Sequence, residues 1–417
     1  MRSSLIAAAL SLFTAVGSAA QIAFPNAFQL SEHKDPDHLL PLPTLHELLI
    51  LHRELIKQPS ITYSEYEQGW WLVSYLKEAG WSVETQQVGC RMMGKERFNI
   101  LAWPGKEKPT RGTLLTTHYD TVPPYIPYSF DPKNSLVSGR GSVDAKGSLA
   151  AMIIAAIDLL GRSDNPINED DISLLFVVGE ETGGDGMRTF SDSPLNSANY
   201  NAVIFGEPTE NKLASGHKGS FGFEIRVTGK EAHSGYPWLG LSANNVLVAS
   251  LAKLLSLESG QVKGLHLPWS EKYGNTTMNI GTIHGGVAHN VVAKNATAYI
   301  AGRLAESTPE DVEATITAAL APFVNAVEEK GGSLEIEFGE GGYGPVDANC
   351  DIEGFECITV NYGTDIHFLK GNHKRYLYGP GSIHVAHSDV EAVSVWDLEK
   401  AVIDYQKLIL ASYWREK

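Results

Sequence analysis

The sequence has 417 residues, of which 43% are hydrophobic and 20% are charged, with Gly and Pro scattered rather than periodic. These values are typical of a soluble globular protein and exclude a disordered or fibrous chain, and the length predicts two domains or one domain with a large insertion. The 33 Lys and Arg against 49 Asp and Glu give a net charge of −16 without a basic stripe, which argues against nucleic acid as a partner.

The first twenty residues have the pattern of a secretory signal peptide. Arg2 precedes the apolar stretch Leu5 to Val16, and small residues lead to Ala20, after which we expect cleavage. The apolar stretch is too short for a membrane span of about 20 residues, and no later segment is long and apolar enough to be one. We therefore expect a secreted, extracellular protein with no membrane partner, and the sequons at Asn275 and Asn295 predict a glycoprotein.

From Leu39 to His217, helical and strand-like apolar patterns alternate, which is typical of a mostly parallel sheet with helices on both faces. The predicted helices are Thr44 to Lys57, Tyr63 to Ala79 and Ser148 to Leu160. The predicted strands are near-continuous apolar runs, as expected for strands buried on both faces, namely Gly112 to Thr117, Ile172 to Val178 and Ala202 to Phe205. The pattern therefore predicts an α/β fold.

After His217 the order changes to β-α-β-β-α-β, the pattern of a small self-contained domain. Its predicted elements are Phe221 to Val227, Ala243 to Leu255, Thr277 to Ile283, Ala296 to Leu304, Pro309 to Glu328 and Leu334 to Phe338. A final strand, Arg375 to Tyr378, and a closing helix, Val390 to Ala411, follow. We predict a signal peptide over 1–20, a discontinuous catalytic domain over 21–217 and 340–417, and an inserted lid or dimerisation domain over 218–339.

The three cysteines allow at most one disulfide, and none has the spacing of a zinc site. Cys350 and Cys357 lie close together in a Gly-rich region, so they are the predicted pair in an oxidising compartment, and Cys90 is left free.

Five segments carry acidic or imidazole groups just after a predicted strand or in the turn into a helix. They contain His118 with Asp120, Asp144, Glu180 with Glu181, Glu207, and His387 with Asp389. In open α/β sheets, ligands bind outside the carboxyl ends of the strands, so we expect these distant groups to converge on one crevice.

His and carboxylate ligands without Cys suit zinc or a similar divalent ion, and carboxylates can bridge two ions. Two ions carry four positive charges, whereas Asp144, Glu181 and Glu207 supply three negative charges and neutral histidines supply none. One bound hydroxide would neutralise the remaining single positive charge. Such a hydroxide is available at physiological pH because zinc lowers the pKa of its water to about 7. The excess of acidic over basic residues fits such a centre, although most proteins with such an excess simply carry the acidic residues on their solvated surface.

Each motif alone has a second explanation. Asp120 is placed to accept the other imidazole N–H of His118 and fix its tautomer, but a His-x-Asp pair after a strand is more often structural. The adjacent Glu180 and Glu181 differ, because two carboxylates at the end of an apolar strand repel each other unless a cation or proton lies between them. Residue chemistry alone does not decide which glutamate is a base and which is a ligand.

Six stretches in order carry a resemblance over essentially the whole mature chain. They are 117–123 (THYDTVP), 139–147 (GRGSVDAKG), 180–183 (EETG), 206–209 (GEPT), 285–292 (GGVAHNVV) and 379–387 (GPGSIHVAH). Together they resemble the zinc-dependent exopeptidase family of acetylornithine deacetylase, succinyl-diaminopimelate desuccinylase and glutamate carboxypeptidase. With its signal peptide, the chain looks like a secreted carboxypeptidase of fungal type.

The resemblance implies two Zn²⁺ ions per chain, with Co²⁺ as a substitute. His118 and Glu207 would hold one ion. Glu181 and His387 would hold the other, and Asp144 would bridge both.

The resemblance also implies roles beyond the metal ligands. Glu180 would be the general base, taking a proton from the bridging water that attacks the amide carbonyl and passing it to the leaving nitrogen. His233 would polarise the scissile carbonyl, and in a dimer it would reach the other subunit's site. Asn290 and Arg303 would hold the substrate carboxylate, which suits the bidentate arginine fork, although a lone arginine on a strand is more often a surface charge.

Two functions share this centre. One is a carboxypeptidase or dipeptidase that cuts near a free carboxylate, which the signal peptide favours, and the other is an N-acyl amino acid deacylase. A non-catalytic binding protein on the same fold usually lacks a ligand or the base, whereas every such position is filled here. Ser242 and Ala293 stand where the family commonly has Asn and Pro, so the substrate details stay open. The expected partners are a peptide or N-acyl amino acid and a second copy of the chain, bound through the inserted domain.

Overall fold

The structure is a computed structural model that describes residues 38–89, 96–163, 166–258 and 265–414. The predicted signal peptide and Cys90 lie outside these ranges. The chain divides into two compact units. The large unit comprises the described residues up to Ser215, Ala348–Ile358 and those from Thr364 onward, and the small unit comprises Gly216–Asp347 and Thr359–Gly363.

Helices longer than one turn number seven within the described ranges. They are α1 (Leu42–Lys57), α2 (Tyr66–Glu78), α3 (Lys146–Gly161), α4 (Asp185–Ser191), α5 (Ala243–Glu258), α6 (Pro309–Glu328) and α7 (Val395–Trp414). None of the helices in this part of the chain is both long and apolar enough to cross a membrane.

The strands differ widely in length. They are β1 (Trp81–Gln87), β2 (Phe98–Pro104), β3 (Arg111–His118), β4 (Ser129–Asp131), β5 (Leu136–Ser138), β6 (Ile172–Val177), β7 (Asn199–Gly206), β8 (Leu213–His217), β9 (Gly219–Thr228), β10 (Trp269–Ser270), β11 (Gly274–Asn275), β12 (Thr277–Gly285), β13 (Asn295–Leu304), β14 (Ser333–Phe338), β15 (Val346–Asp347), β16 (Cys357–Val360), β17 (Lys374–Tyr378) and β18 (Ala392–Ser394).

The central sheet of the large unit has the strand order β1-β2-β6-β3-β7-β17-β8. Strands β6, β3, β7 and β17 are parallel, and the strands outside them pair antiparallel. Strand β6 is buried throughout and β3 is buried after its first residue, as expected for strands covered on both faces. The predicted α/β class is confirmed, with a mixed sheet whose parallel part lies at its centre.

Helix α3 anchors the turn that carries Asp144. It begins at Lys146, two residues later, and is buried along most of its length. It contacts α1, α7 and strands β3 and β6. Truncating a fully buried side chain such as Ile153 to Ala would cost about 2–5 kcal/mol, so this helix gives the turn a rigid support.

The small unit has its own antiparallel sheet, in the order β12-β13-β9-β14, on which α5 and α6 pack. A separate hydrophobic core lies between them and includes Phe223, Leu247 and Ile316. The predicted β-α-β-β-α-β order is confirmed, with an additional short hairpin of β10 and β11. Helix α6 has the predicted bounds, and a capping box formed by Thr308 and Asp311 sets its start.

Several predicted bounds differ from the structure. Helix α2 begins at Tyr66 rather than Tyr63, because Tyr63 has a left-handed φ of 75°. Helix α7 begins at Val395 rather than Val390, because β18 precedes it and pairs with β5. Strands β1 and β2 were not predicted. Five of the seven residues of β1 are polar and most of the strand is half-buried or exposed, whereas β2 is buried throughout. The predicted disulfide between Cys350 and Cys357 is present.

Candidate metal centre

His118 ends β3 and is 1% exposed. Its Nδ1 lies 2.9 Å from the backbone oxygen of Asp120, so Nδ1 carries the proton and donates it. The other nitrogen, Nε2, lies 3.0 Å from Oδ1 of Asp144 and 3.7 Å from Oε1 of Glu207. This tautomer turns the Nε2 lone pair toward the two carboxylates, the orientation that a metal ligand needs.

The carboxylate of Asp120 holds His118 less closely than the sequence analysis predicted. Its Oδ1 lies 3.6 Å from Nδ1 of His118, farther than the backbone oxygen of the same residue. The Thr62 hydroxyl donates to Oδ2 at 2.8 Å, and the backbone N–H of Glu180 donates to Oδ1 at 3.4 Å. Asp120 therefore links the turn after β3 to the turn after β6. The alternation of side chains at the end of a strand does not reveal this contact.

Asp144 lies between two histidines. Its Oδ1 faces His118, and its Oδ2 lies 3.2 Å from Nε2 of His387. Each carboxylate oxygen therefore serves a different imidazole, which is the arrangement of a carboxylate that bridges two cations. His387 has a left-handed φ of 59°, a conformation that non-glycine residues adopt mostly where surrounding contacts hold them.

The remaining acids follow β6 and β7. Glu180 and Glu181 form a single 3₁₀ turn after Gly179, whose φ is 79°, and Oε2 of Glu181 lies 3.0 Å from Nε2 of His387. Glu207 directly follows β7.

Two overlapping groups of potential ligands result. Their ligand atoms lie within 4.8 Å of one another in the sets His118, Asp144 and Glu181, and His118, Glu180 and Glu207. The structure thus brings the five predicted ligands, Glu180 and Asp120 together at the carboxyl ends of the parallel strands, all within the large unit.

These donors fit divalent cations. Among the described residues, Oε1 of Glu181 has no hydrogen-bond partner although it is buried. Burial raises the pKa of Glu180 well above its usual range, and the charge of Glu207 adds to this rise. Burial also raises the pKa of Glu207 well above its usual range, while His118 opposes that rise. A cluster of acids that resists ionisation until positive charge arrives is typical of a cation site, and its nitrogen and oxygen donors suit zinc.

The histidines respond to the same acids. Hydrogen bonds to Asp144 and Glu181 raise the pKa of His387 to about 10. Burial opposes the ionisation of Asp144, but the hydrogen bonds that His118 and His387 donate when protonated outweigh it and lower the pKa of Asp144. Positive charge beside Asp144 is therefore favoured, whether a proton or a metal ion supplies it.

Asp365 is a buried acid at the centre that the sequence analysis missed. It helps to line a small pocket together with Thr116, His118 and Glu207. Burial raises the pKa of Asp365 to about 7, and its Oδ1 has no hydrogen-bond partner in the described part of the chain. Asp365 follows no strand and has no neighbouring motif, so the sequence offers no signal that would have found it.

The candidate residues of the small unit lie on exposed segments. His233 forms an isolated bridge with Val291, and Ser234 N–H donates to the backbone oxygen of Asn290 at 3.0 Å. His233 and Asn290 are therefore neighbours, whereas Arg303 lies on β13 opposite Thr277 and Ser220. The sequon residues Asn275 and Asn295 are exposed, at β11 and at the start of β13.

Family comparisons agree with this geometry. Residues 215–328 match a peptidase dimerisation domain, and residues 99–213 match peptidase family M28. A "Probable carboxypeptidase" of Arthroderma otae is 46% identical over 401 residues, which cover 89% of this chain and 87% of that protein. The chain belongs to the M20 peptidase family.

Solved structures of other peptidases share the fold. A tripeptidase of Staphylococcus aureus matches with a TM-score of 0.70 at 20% identity, over 88% of this chain and 99% of that one. An M20 family metallo-carboxypeptidase of Sulfolobus solfataricus matches with a TM-score of 0.63 at 17% identity, over 87% and 98% of the two chains. YxeP of Bacillus subtilis, described as a dinuclear metal binding peptidase of this family, matches with a TM-score of 0.60 at 13% identity, over 89% and 99%. As an M20 family member, the protein is a peptidase-type metallohydrolase.

Proposed function

We propose that this M20 peptidase is a secreted carboxypeptidase with two zinc ions, which hydrolyses a peptide or other amide bond close to a free carboxylate. One observation carries the proposal. His118, Asp144, Glu181, Glu207 and His387 surround one crevice, where Asp144 directs one oxygen to each histidine.

The ligands divide into two sets around Asp144. His118 and Glu207 would hold one ion, Glu181 and His387 would hold the other, and Asp144 would be shared. Two zinc ions bound there would polarise the scissile carbonyl and make water a nucleophile near neutral pH. The buried Oε1 of Glu181, which has no partner among the described residues, would gain one.

Glu180 would act as the general base. It adjoins His118 and Glu207, and its backbone N–H is held by Asp120. A carboxylate in this position can take a proton from the attacking water and then release it to the leaving nitrogen, which is the usual work of a general base. Asp120 would position both this turn and the ring of His118.

His233 would donate to the developing oxyanion. Its Nδ1 accepts a hydrogen bond from the backbone N–H of Gly235 at 3.0 Å, so a neutral ring carries its proton on the exposed Nε2. That proton is the one a carbonyl oxygen can accept. Asn290 and Arg303 would bind the substrate carboxylate, in keeping with the bidentate geometry that a guanidinium offers. His233 can serve this chemistry only where the small unit reaches a metal centre, its own or a partner's.

We also propose export and self-association. The apolar stretch before Ala20 supports secretion, and the exposure of Asn275 and Asn295 is compatible with glycosylation. The match of 215–328 to a peptidase dimerisation domain supports a homodimer formed through the inserted domain.

A matched substrate panel tests the reaction. N-blocked dipeptides, N-acyl amino acids and the same compounds with an amidated carboxyl end would be incubated with purified, zinc-loaded protein. We expect hydrolysis of the free-acid peptides and little hydrolysis of the amides. Faster turnover of short N-acyl amino acids than of peptides would instead indicate the deacylase, and equal turnover of acids and amides would contradict recognition of the carboxylate.

A further inference from the structure

Glu391 is a buried acid next to the candidate metal centre without being one of its ligands. Its side chain is 1% exposed, and Oε2 lies 2.6 Å from Nη1 of Arg140, whose side chain is 3% exposed. A buried ion pair loses the hydration of both charges, so it is not by itself a source of stability. The presence of this pair beside the metal centre therefore needs an explanation other than stability.

The contacts of this pair join the two loops that carry Asp144 and His387. Oε1 of Glu391 accepts from the backbone N–H of Val143 at 3.1 Å and from that of Asp144 at 3.3 Å. Nη1 of Arg140 donates to the backbone oxygen of Ser388, the residue after His387, at 3.1 Å. The backbone of Glu391 also accepts from Gly139 at 3.2 Å.

We propose that Glu391 is a positioning residue for the metal centre, because its carboxylate fixes the backbone of Asp144 and, through Arg140, the loop of His387. The inference rests on the two-metal centre of the proposed function. Asp144 must keep one oxygen aimed at each set of ligands, so a small rotation of its backbone would disturb both sites at once. His387 needs comparable support, since its left-handed φ is held only by its surroundings.

A simpler explanation is that Glu391 only neutralises Arg140. Two double variants separate these roles, because both remove the ion pair and neither leaves a buried charge alone. In Arg140→Met/Glu391→Gln, a side-chain oxygen remains that can accept from Val143 and Asp144. In Arg140→Met/Glu391→Met, that acceptor is gone while the side chain keeps a similar length.

Zinc affinity is measured on metal-free protein by competition with a chromophoric chelator, and Co²⁺ absorption spectra report ligand geometry. We expect the Met/Met variant to bind both ions about 10-fold to 100-fold more weakly than the Met/Gln variant, the usual effect of removing a group that orients metal ligands. Its Co²⁺ spectrum should also change. Equal affinities and spectra for the two variants would overturn the inference, whereas wild-type protein that binds no zinc would overturn the proposed function instead.

Two further variants guard against a folding defect. Glu391→Asp keeps the negative charge beside Arg140 but shortens the side chain by one methylene. We therefore expect weaker zinc binding although the charge of the ion pair is unchanged. Unchanged zinc affinity in Glu391→Asp would contradict the positioning role. The control is Asp404→Asn, which alters another buried carboxylate of the large unit, one that accepts from the Tyr378 hydroxyl and from Lys400 rather than from the backbone of a candidate ligand. It should leave zinc affinity unchanged even where it lowers the melting temperature.

Discussion

The large and small units hold their candidate functional residues in different ways. In the large unit His118, Glu181 and Glu207 end parallel strands or lie within a few residues of them, and Asp144 and His387 reach them from loops. Contacts among these side chains have distances near 3 Å. In the small unit His233, Asn290 and Arg303 are exposed. When the residues of a site converge inside one unit, the site can be inferred from the order of the strands. Exposed residues acquire a role only when a substrate or another part of the protein contacts them.

Removing the metal should have the largest effect and should act on the large unit alone. Dialysis against a chelator should abolish hydrolysis, zinc should restore it, and elemental analysis should find close to two zinc ions per chain. Without cations the adjacent acids repel one another, so amide hydrogen exchange should rise in the turns of Asp144 and Glu180 and stay constant in strands β9 and β13. A fully active sample with one zinc ion or none would refute the two-metal centre.

The adjacent glutamates should separate catalysis from metal binding within that unit. Glu180→Gln removes the base and should lower kcat about 10²-fold to 10⁴-fold while both zinc ions remain. Glu181→Gln removes a ligand carboxylate that contacts His387 and should lower zinc affinity. The two variants control for each other, since both replace one acid of the same turn. Zinc loss in Glu180→Gln with zinc retention in Glu181→Gln would reverse the assignment.

His233 tests whether the small unit takes part in the chemistry. His233→Ala should lower kcat and kcat/KM by similar factors, about 10²-fold to 10³-fold, because a donor to the oxyanion acts only in the transition state. Zinc content should not change. His266→Ala is the matched control, since this histidine is partly exposed in the same unit and contacts the backbone of Leu267.

Mixing variants would show which chain His233 serves. After verified subunit exchange, His233→Ala and Glu180→Gln proteins should together regain part of the activity, because one site of each mixed dimer then has both groups intact. No recovery would mean that His233 serves its own chain or that the enzyme works as a monomer.

The same difference between the units explains what the sequence could predict. The apolar runs of β3, β6 and β7 are visible in the sequence, so the residues that follow them could be assigned to one crevice. The predicted bounds of helix α6 also agree with the structure, where a capping box at Thr308 sets its start. Asp365 and Glu391 could not be recognised, because a charged residue in a loop reads as exposed until the tertiary structure buries it.

Arg303 should give the smallest effect, and one confined to substrate binding. A guanidinium that holds the substrate carboxylate in the ground state and the transition state alike affects KM rather than kcat. Losing a charged hydrogen bond costs about 1.5–3 kcal/mol, so Arg303→Met should raise KM about 10-fold to 150-fold on free-acid substrates. Arg303→Lys should fall between Met and the wild type, because an ammonium keeps the charge but not the fork.

The substrate's own carboxylate provides the decisive control for this prediction. If Arg303 binds that group, then amidated substrates should react equally slowly with wild-type and Arg303→Met protein, because the interaction is missing in both. Arg226→Lys alters another exposed arginine of the small unit, one that pairs with Glu224 and Glu337, and should leave KM unchanged. A KM increase of the same size on acids and amides would show that Arg303 supports the fold of β13 rather than the substrate, and recognition of the carboxylate would then have to come from another residue.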